Sequence, residues 1–125
     1  MADEIRYSMN VSLANGNLND SYNTSSLKAD QTTQGLVRNV QPVGTTAAGD
    51  VVDMGSISTP RMAVFSNLDV LNFVQIGLQI GGTFYPFLKL DPETQAGPIW
   101  LGNTTPIYAR ADAGAVELFY ILYEE

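Results

Sequence analysis

The residues best suited to chemistry in this chain of 125 residues are five carboxylates, Asp50, Asp53, Asp69, Asp91 and Glu93. Two carboxylates facing each other across a cleft can cleave a glycosidic bond, one as acid and the other as nucleophile or base. Each of these five stands at a predicted turn or strand end, where acids cap backbone N–H groups or face solvent. They are therefore read as structural. Asn15, Asn17, Asn19 and Asp20 alternate in the manner of oxygen ligands in a calcium loop. The segment lacks the acid count and closing Glu of an EF-hand, and an ordered Asn-rich turn accounts for it.

The sequence contains neither Cys nor His. Disulfides, thiolate zinc sites, cysteine nucleophiles, imidazole bases and Ser-His triads are excluded on that ground. Gly81-Gly82 joins two predicted strands and opens no helix, so it is no phosphate loop. Asn10-Val11-Ser12, Asn23-Thr24-Ser25 and Asn103-Thr104-Thr105 match glycosylation sequons, read as chance matches in an Asn- and Thr-rich chain without an export signal. Trp100 and Tyr108, with Tyr85, are the candidates for a platform that stacks on sugars, although aromatics on strands more often fill cores or interfaces. No catalytic residue, metal ligand or cofactor is assigned.

Thirteen acidic and 6 basic residues give a net charge of −7. Lys28, Arg38, Arg61, Lys89 and Arg110 are scattered singly, which argues against nucleic acid as a partner and against an anionic membrane surface. The opening MADEIRY has no apolar run, and no segment approaches the ~20 apolar residues of a membrane helix. The expectation is a protein made and folded in a cytoplasm. Hydrophobic residues at 45% against 15% charged describe an ordered fold whose surface is only partly solvated. The length predicts one domain over residues 1–125.

The elements that must position these residues are short strands, since no run of ten residues shows helical periodicity. The organising stretch is Phe65–Leu90, read as a long hairpin: Asn72–Ile80, a Gly81-Gly82 turn, and Thr83–Leu90 returning. That register sets Ile80 opposite Thr83, Leu78 opposite Tyr85 and Ile76 opposite Phe87. Val74, Ile76, Leu78 and Ile80 then share an expected core face with Tyr85 and Phe87. Pro86 marks a bulge or an edge. A bulge would turn Leu88 and Leu90 to the core, whereas a regular ladder would leave Phe84 and Leu88 outside and in need of a partner.

Before the hairpin, Ile5–Leu13 alternates as a half-buried strand with Ile5, Tyr7, Met9, Val11 and Leu13 inward. Asn15-Gly16 turns, and Asn17–Ser26 reads as a loop pinned by Leu18 and Tyr22. Leu27–Thr33, Leu36–Val43, Asp50–Met54 and Arg61–Ser66 follow as strands, with Pro42 suggesting an edge and Asn67-Leu68-Asp69 a corner. After it come the Asp91–Gly97 turn, Pro98–Leu101, the Gly102–Pro106 turn and Ile107–Ala111 with Ile107, Ala109 and Ala111 inward. Val116–Tyr123 is apolar on both faces, and so is central or half-covered by another subunit. The predicted fold is all-β, an antiparallel β-sandwich of about eight strands, jelly-roll-like.

Three stretches carry a likeness to a known group: Asp30-Gln31-Thr32-Thr33 with Gly35, Ser66–Val74 (SNLDVLNFV), and Gly82–Leu90 (GTFYPFLKL). Together with Tyr108-Ala109-Arg110-Ala111 and the closing Tyr123-Glu124-Glu125, they resemble small virion proteins of tailed bacteriophages, in order along most of the chain. Asp91-Pro92-Glu93-Thr94 departs from the Pro-Gly turn more typical there. The resemblance implies a non-enzymatic structural protein, in the best-understood cases a capsid decoration or cement protein of jelly-roll or related fold. It implies the major capsid protein as partner, a homo-oligomer (trimer or dimer), and residence in the virion after assembly in the host cytoplasm. A tail, neck or fibre-associated module that binds glycan is the alternative, using Trp100 and Tyr108.

Such a protein needs flat, weakly charged, partly apolar β faces. Phe84 and Leu88, together with Phe119, Ile121 and Tyr123, are the expected contact residues.

Overall fold

A computed structural model describes residues 4–31, 34–102 and 106–125. Thr32 and Thr33 of the first likeness motif, the Asn103-Thr104-Thr105 sequon and the middle of the Gly102–Pro106 turn lie outside the described residues. The strands are β1 (Ile5–Tyr7), β2 (Asn10–Asn15), β3 (Leu18–Asn23), β4 (Leu27–Ala29), β5 (Leu36–Val43), β6 (Asp50–Val51), β7 (Pro60–Asn67), β8 (Val74–Ile80), β9 (Thr83–Leu90), β10 (Gln95–Trp100), β11 (Tyr108–Ala111) and β12 (Val116–Glu124). They fall in two compact units, Met1–Gln34 and Gly35–Glu125. The sandwich expected over 1–125 therefore occupies the second unit alone.

In that unit two four-stranded antiparallel sheets run β10-β7-β12-β5 and β6-β11-β8-β9. The pairing is nested: β8 with β9, β7 with β10, β6 with β11, and β5 with β12. A long antiparallel ribbon folded over on itself gives this order, with β12–β7 and β11–β8 joining its turns into sheets. That is the jelly-roll arrangement. The ribbon's innermost turn is Gly81-Gly82, with φ of 60° and 82°, the double positive φ that a two-residue hairpin loop requires.

Strand alternation then fills the space between the sheets. Ala63, Phe65, Leu118, Tyr120 and Leu122 from one sheet meet Val74, Ile76, Leu90, Ala109 and Ala111 from the other, all buried. Ile107, Ala109 and Ala111 point inward as expected. Strand β12 is central, between β7 and β5; its inward face is core, and Phe119, Ile121 and Tyr123 on its outer face are half-buried. Strand β5 is an edge, which is where Pro42 is tolerated.

The central hairpin departs from the regular ladder. Its register shifts between Ile76, which pairs with Leu88, and Gly77, which pairs with Pro86, so Phe87 is the extra residue of a bulge. Beyond the bulge Leu90 is buried, and Leu88 is half-buried against the core. The expected core face of Val74, Ile76, Leu78 and Ile80 with Tyr85 and Phe87 holds only for its first half. Neighbouring strand β11 stops opposite Gly77, so the hairpin tip runs on past its sheet. There Ile80 and Tyr85 are exposed, as is Phe87 at the bulge.

The first unit is a second, separate ribbon. β1 pairs with β4 and β2 with β3, with Asn15 opposite Leu18 across a Gly16-Asn17 turn. The Asn17–Ser26 loop is thus corrected: Leu18–Asn23 is a strand. The continuous half-buried strand over Ile5–Leu13 is corrected as well. It breaks at Ser8-Met9, and all six residues of β2 are exposed. Ile5 is buried as expected, and so is Ala29 opposite it in the β1–β4 pair, but every residue of β2 and β3 is exposed: alternation reads there as burial, and Val11 and Leu13 are on the surface.

Candidate functional site

The two sheets differ in what lies on their outer faces. On β6-β11-β8-β9 the outer face carries Phe84, Tyr108, Arg110, Gln75 and Gln79. Loop 44–49 folds over it, fixed by Gln79 Nε2 donating to the Ala48 carbonyl (2.8 Å) and Arg110 Nη1 donating to the Ala47 carbonyl (3.0 Å). The Arg110 guanidinium lies 4.8 Å from the Phe84 ring centre, a cation–π geometry. Gly49 packs so close that an added Cβ would reach 2.9 Å from the ring. Phe84 is consequently 6% exposed. As a contact residue it is corrected, because the chain's own loop is the partner it needs. Leu88 is corrected in the same way, since the bulge turns it toward the core.

On β10-β7-β12-β5 the outer face is apolar across four strands. Register gives three rows: Val40, Phe119 and Ser66; Arg38, Ile121 and Val64; Leu36, Tyr123, Met62 and Trp100. Leu36, Val40 and Trp100 on the edge strands are exposed, Phe119, Ile121, Tyr123 and Val64 are half-buried, and Met62 and Ser66 are buried, so the middle of this face is covered. The Arg38 guanidinium stacks 5.2 Å from the Phe119 ring centre, and Arg61 stands 5.5 Å from that of Trp100. Strand pairing thus gathers Phe119, Ile121, Tyr123 and Trp100 on one surface. It does not unite Trp100 with Tyr108, which lies on the opposite sheet, so the two cannot form one stacking platform.

The five carboxylates serve their own turns. Asp50 Oδ2 accepts from Gly44 N (2.7 Å) and Asp53 Oδ1 from Gly55 N (2.8 Å). Asp69 Oδ2 accepts from Asn72 N (2.6 Å) and Leu71 N (3.0 Å), which holds its carboxyl below the usual carboxylate range. Asp91 faces Lys89 at 3.7 Å, and Glu93 sits at φ 59° in the turn that follows. Among the described residues no group of three or more acids is placed to hold a metal ion. Asn19 and Asp20 are adjacent on a strand and point to opposite faces, so the calcium-loop pattern does not converge. A hollow beside loop 44–49 sets Arg110 near Asp112, but Arg110 Nη2 already donates to Gln75 Oε1 (2.9 Å).

Two apolar groups were missed from sequence. Leu68, Val70 and Leu71 project from the corner after β7, with Leu71 81% exposed, and the Asp69 hydrogen bonds fix this tip from within. In the N-terminal ribbon Val11, Leu13, Leu18 and Tyr22 are all exposed. Register was the missing information: it places these four on one face, opposite Asn10, Ser12, Asn19, Ser21 and Asn23.

No family model, curated protein or solved structure matches the chain.

Proposed function

We propose that this protein is a non-enzymatic virion structural component of a tailed bacteriophage, a capsid decoration or cement protein. In this reading it binds the major capsid protein, stabilises the shell and self-associates. The observation that carries the reading is the distribution of exposed apolar side chains. Exposed apolar side chains stand on the sheet's edge strands (Leu36, Val40 and Trp100), at the Leu68–Leu71 corner, on the central hairpin (Ile80, Tyr85 and Phe87), and on β2 and β3 of the N-terminal ribbon. A small free-standing domain rarely leaves so much uncovered, whereas a lattice component touches several neighbours at once. The likeness of Ser66–Val74 and Gly82–Leu90 to phage virion proteins supports the same reading. The low charged fraction fits it too.

Quantitative mass spectrometry of purified particles of the encoding phage tests it. A copy number comparable with that of the major capsid protein is the expected result. A number nearer that of tail or neck proteins would move the protein to the tail, and absence from mature particles would end the virion reading.

A further inference from the structure

The turn between β2 and β3 carries Asn15-Gly16, the single Asn-Gly pair in the sequence. The ladder ends at Asn15 opposite Leu18, so the Gly16 N–H belongs to the turn and not to the strand pairing. Gly16 has a φ of 57° and Asn17 does not share the positive φ, the pattern of a two-residue loop with Gly at its first central position. Asn15 and Gly16 are both exposed, and nothing lies within 4 Å of the place a Gly16 Cβ would occupy. Among the described residues no hydrogen bond holds the Asn15 side-chain amide. Asn67 and Asn39 show the contrast. Asn67 is buried, its amide reaches the carbonyls of Asn72, Leu90 and Asp91, and Leu68 follows it. The Asn39 amide donates to the Tyr120 hydroxyl at 3.2 Å, and the β-branched Val40 follows. Every Asn other than Asn15 precedes a residue with a side chain.

We propose that Asn15 is a self-modifying site, converting to aspartate and isoaspartate without an enzyme and with water as the only co-reactant. The Gly16 nitrogen gives its proton to water or hydroxide and attacks Asn15 Cγ, forming a C–N bond. Cγ then expels the amide nitrogen, which takes a proton from water and leaves as ammonia, and a cyclic succinimide remains. Water opens the ring on either side of its nitrogen. Breaking the Cγ–N bond leaves aspartate, and breaking the bond to the Asn15 main-chain carbonyl leaves isoaspartate. No atom is oxidised or reduced. Glycine favours the attack because no Cβ crowds the nucleophilic nitrogen or restricts its approach. Ring closure requires the main chain at Asn15 to leave strand geometry, and a two-stranded ribbon exposed at every residue of β2 and β3 opens locally at low cost. Aspartate at this position sets a second carboxylate beside Asp20, its diagonal neighbour across the pair at roughly 7–8 Å. Isoaspartate adds a methylene to the main chain at the last pair of the ladder, so the turn no longer matches the register of β2 and β3.

Peptide-mapping mass spectrometry of the full chain held at mildly alkaline pH tests this in the absence of any particle, so its outcome is separate from that of virion localisation. The peptide containing Asn15 should gain the mass difference between an amide and an acid and resolve into two products by chromatography. Fragmentation should locate the change at Asn15, at a rate about tenfold or more above that of any other Asn. Gly16→Ala should slow the conversion about tenfold by crowding the attacking nitrogen. Asn15→Gln keeps the turn glycine, and it should slow conversion at least as much because its ring would be larger. An Asn15 that stays intact, one that converts no faster than Asn17 or Asn23, or conversion seen only after the chain is unfolded in urea would overturn the proposal.

Discussion

The side-chain amide of Asn67 donates to the carbonyl of Leu90 at 3.1 Å, tying the corner after β7 to the end of β9, 23 residues later. The same amide donates to the Asn72 carbonyl (2.9 Å) and approaches that of Asp91 (3.3 Å), while Asn67 Oδ1 accepts from Asp69 N (3.0 Å). Asn67 is 1% exposed, so these backbone groups have little water to turn to. Asn67→Ala should destabilise the sandwich by about 2 kcal/mol, the scale of leaving buried polar groups unsatisfied. Urea unfolding should show a lower midpoint at unchanged slope. An unchanged midpoint would mean the corner is held by its backbone alone.

Asp69 gives that corner a pH dependence. Its carboxyl is held below the ordinary carboxylate range by the N–H groups of Asn72 and Leu71. A pKa depressed in the folded state contributes stability that is fully present above the unfolded value of about 3.9. That contribution is lost as pH falls through the lower folded value. Asp69→Asn should therefore be less stable than wild type at neutral pH and should converge on it in acid. Thermal unfolding of both proteins from neutral to strongly acidic pH would show the gap closing, and a constant gap would exclude Asp69 as its source.

The sandwich was largely legible because its signals are local and strong. The Gly81-Gly82 turn and the short apolar runs of β7, β8 and β12 mark strands and a hairpin. Pro86 announced the bulge, but sequence could not decide between a bulge and an edge, and so could not place Leu88. What escaped was anything set by a distant partner. Phe84 looks like a surface residue on its strand, and only loop 44–49, 35 or more residues away along the chain, makes it buried. Val11 and Leu13 look like core, and only the absence of a second layer over β2 leaves them exposed. Periodicity states which residues share a face; it does not state what covers that face.

That distinction predicts opposite behaviour for two apolar residues. Phe84 is buried beneath Arg110 and loop 44–49, so Phe84→Ala should destabilise the protein by about 3 kcal/mol. Leu71 is 81% exposed, so Leu71→Ser should change stability by no more than about 0.5 kcal/mol. If the exposed corner contacts neighbours in a particle, Leu71→Ser should instead lower retention on purified capsids. Thermal unfolding together with a capsid co-sedimentation assay separates the two effects. Equal destabilisation by both substitutions would contradict the burial assignment.

Tyr120 joins the core to the edge of the sheet. Its ring is fully buried, and its hydroxyl donates to the Asp53 carbonyl at 2.6 Å while accepting from Asn39 Nδ2 at 3.2 Å. Gln41 completes the cluster: Nε2 donates to the Val51 carbonyl (2.8 Å), and Oε1 accepts from Asp53 N (2.9 Å). The segment leaving β6 is thus held by side chains where no strand pairs with it. Burial pushes the Tyr120 hydroxyl above its ordinary value, the Asp53 carboxylate adding to the shift and the Asn39 hydrogen bond opposing it. A phenol pKa raised on folding contributes stability that is complete below the unfolded value of about 10 and is lost as pH rises through the folded value. Tyr120→Phe should cost about 1 kcal/mol at neutral pH by leaving the Asp53 carbonyl without its donor. The variant should also lose less stability than wild type in strong alkali, because it has no buried phenol to ionise. Chemical unfolding at neutral and alkaline pH measures both effects. Parallel loss in the two proteins at high pH would assign the alkaline transition to another group.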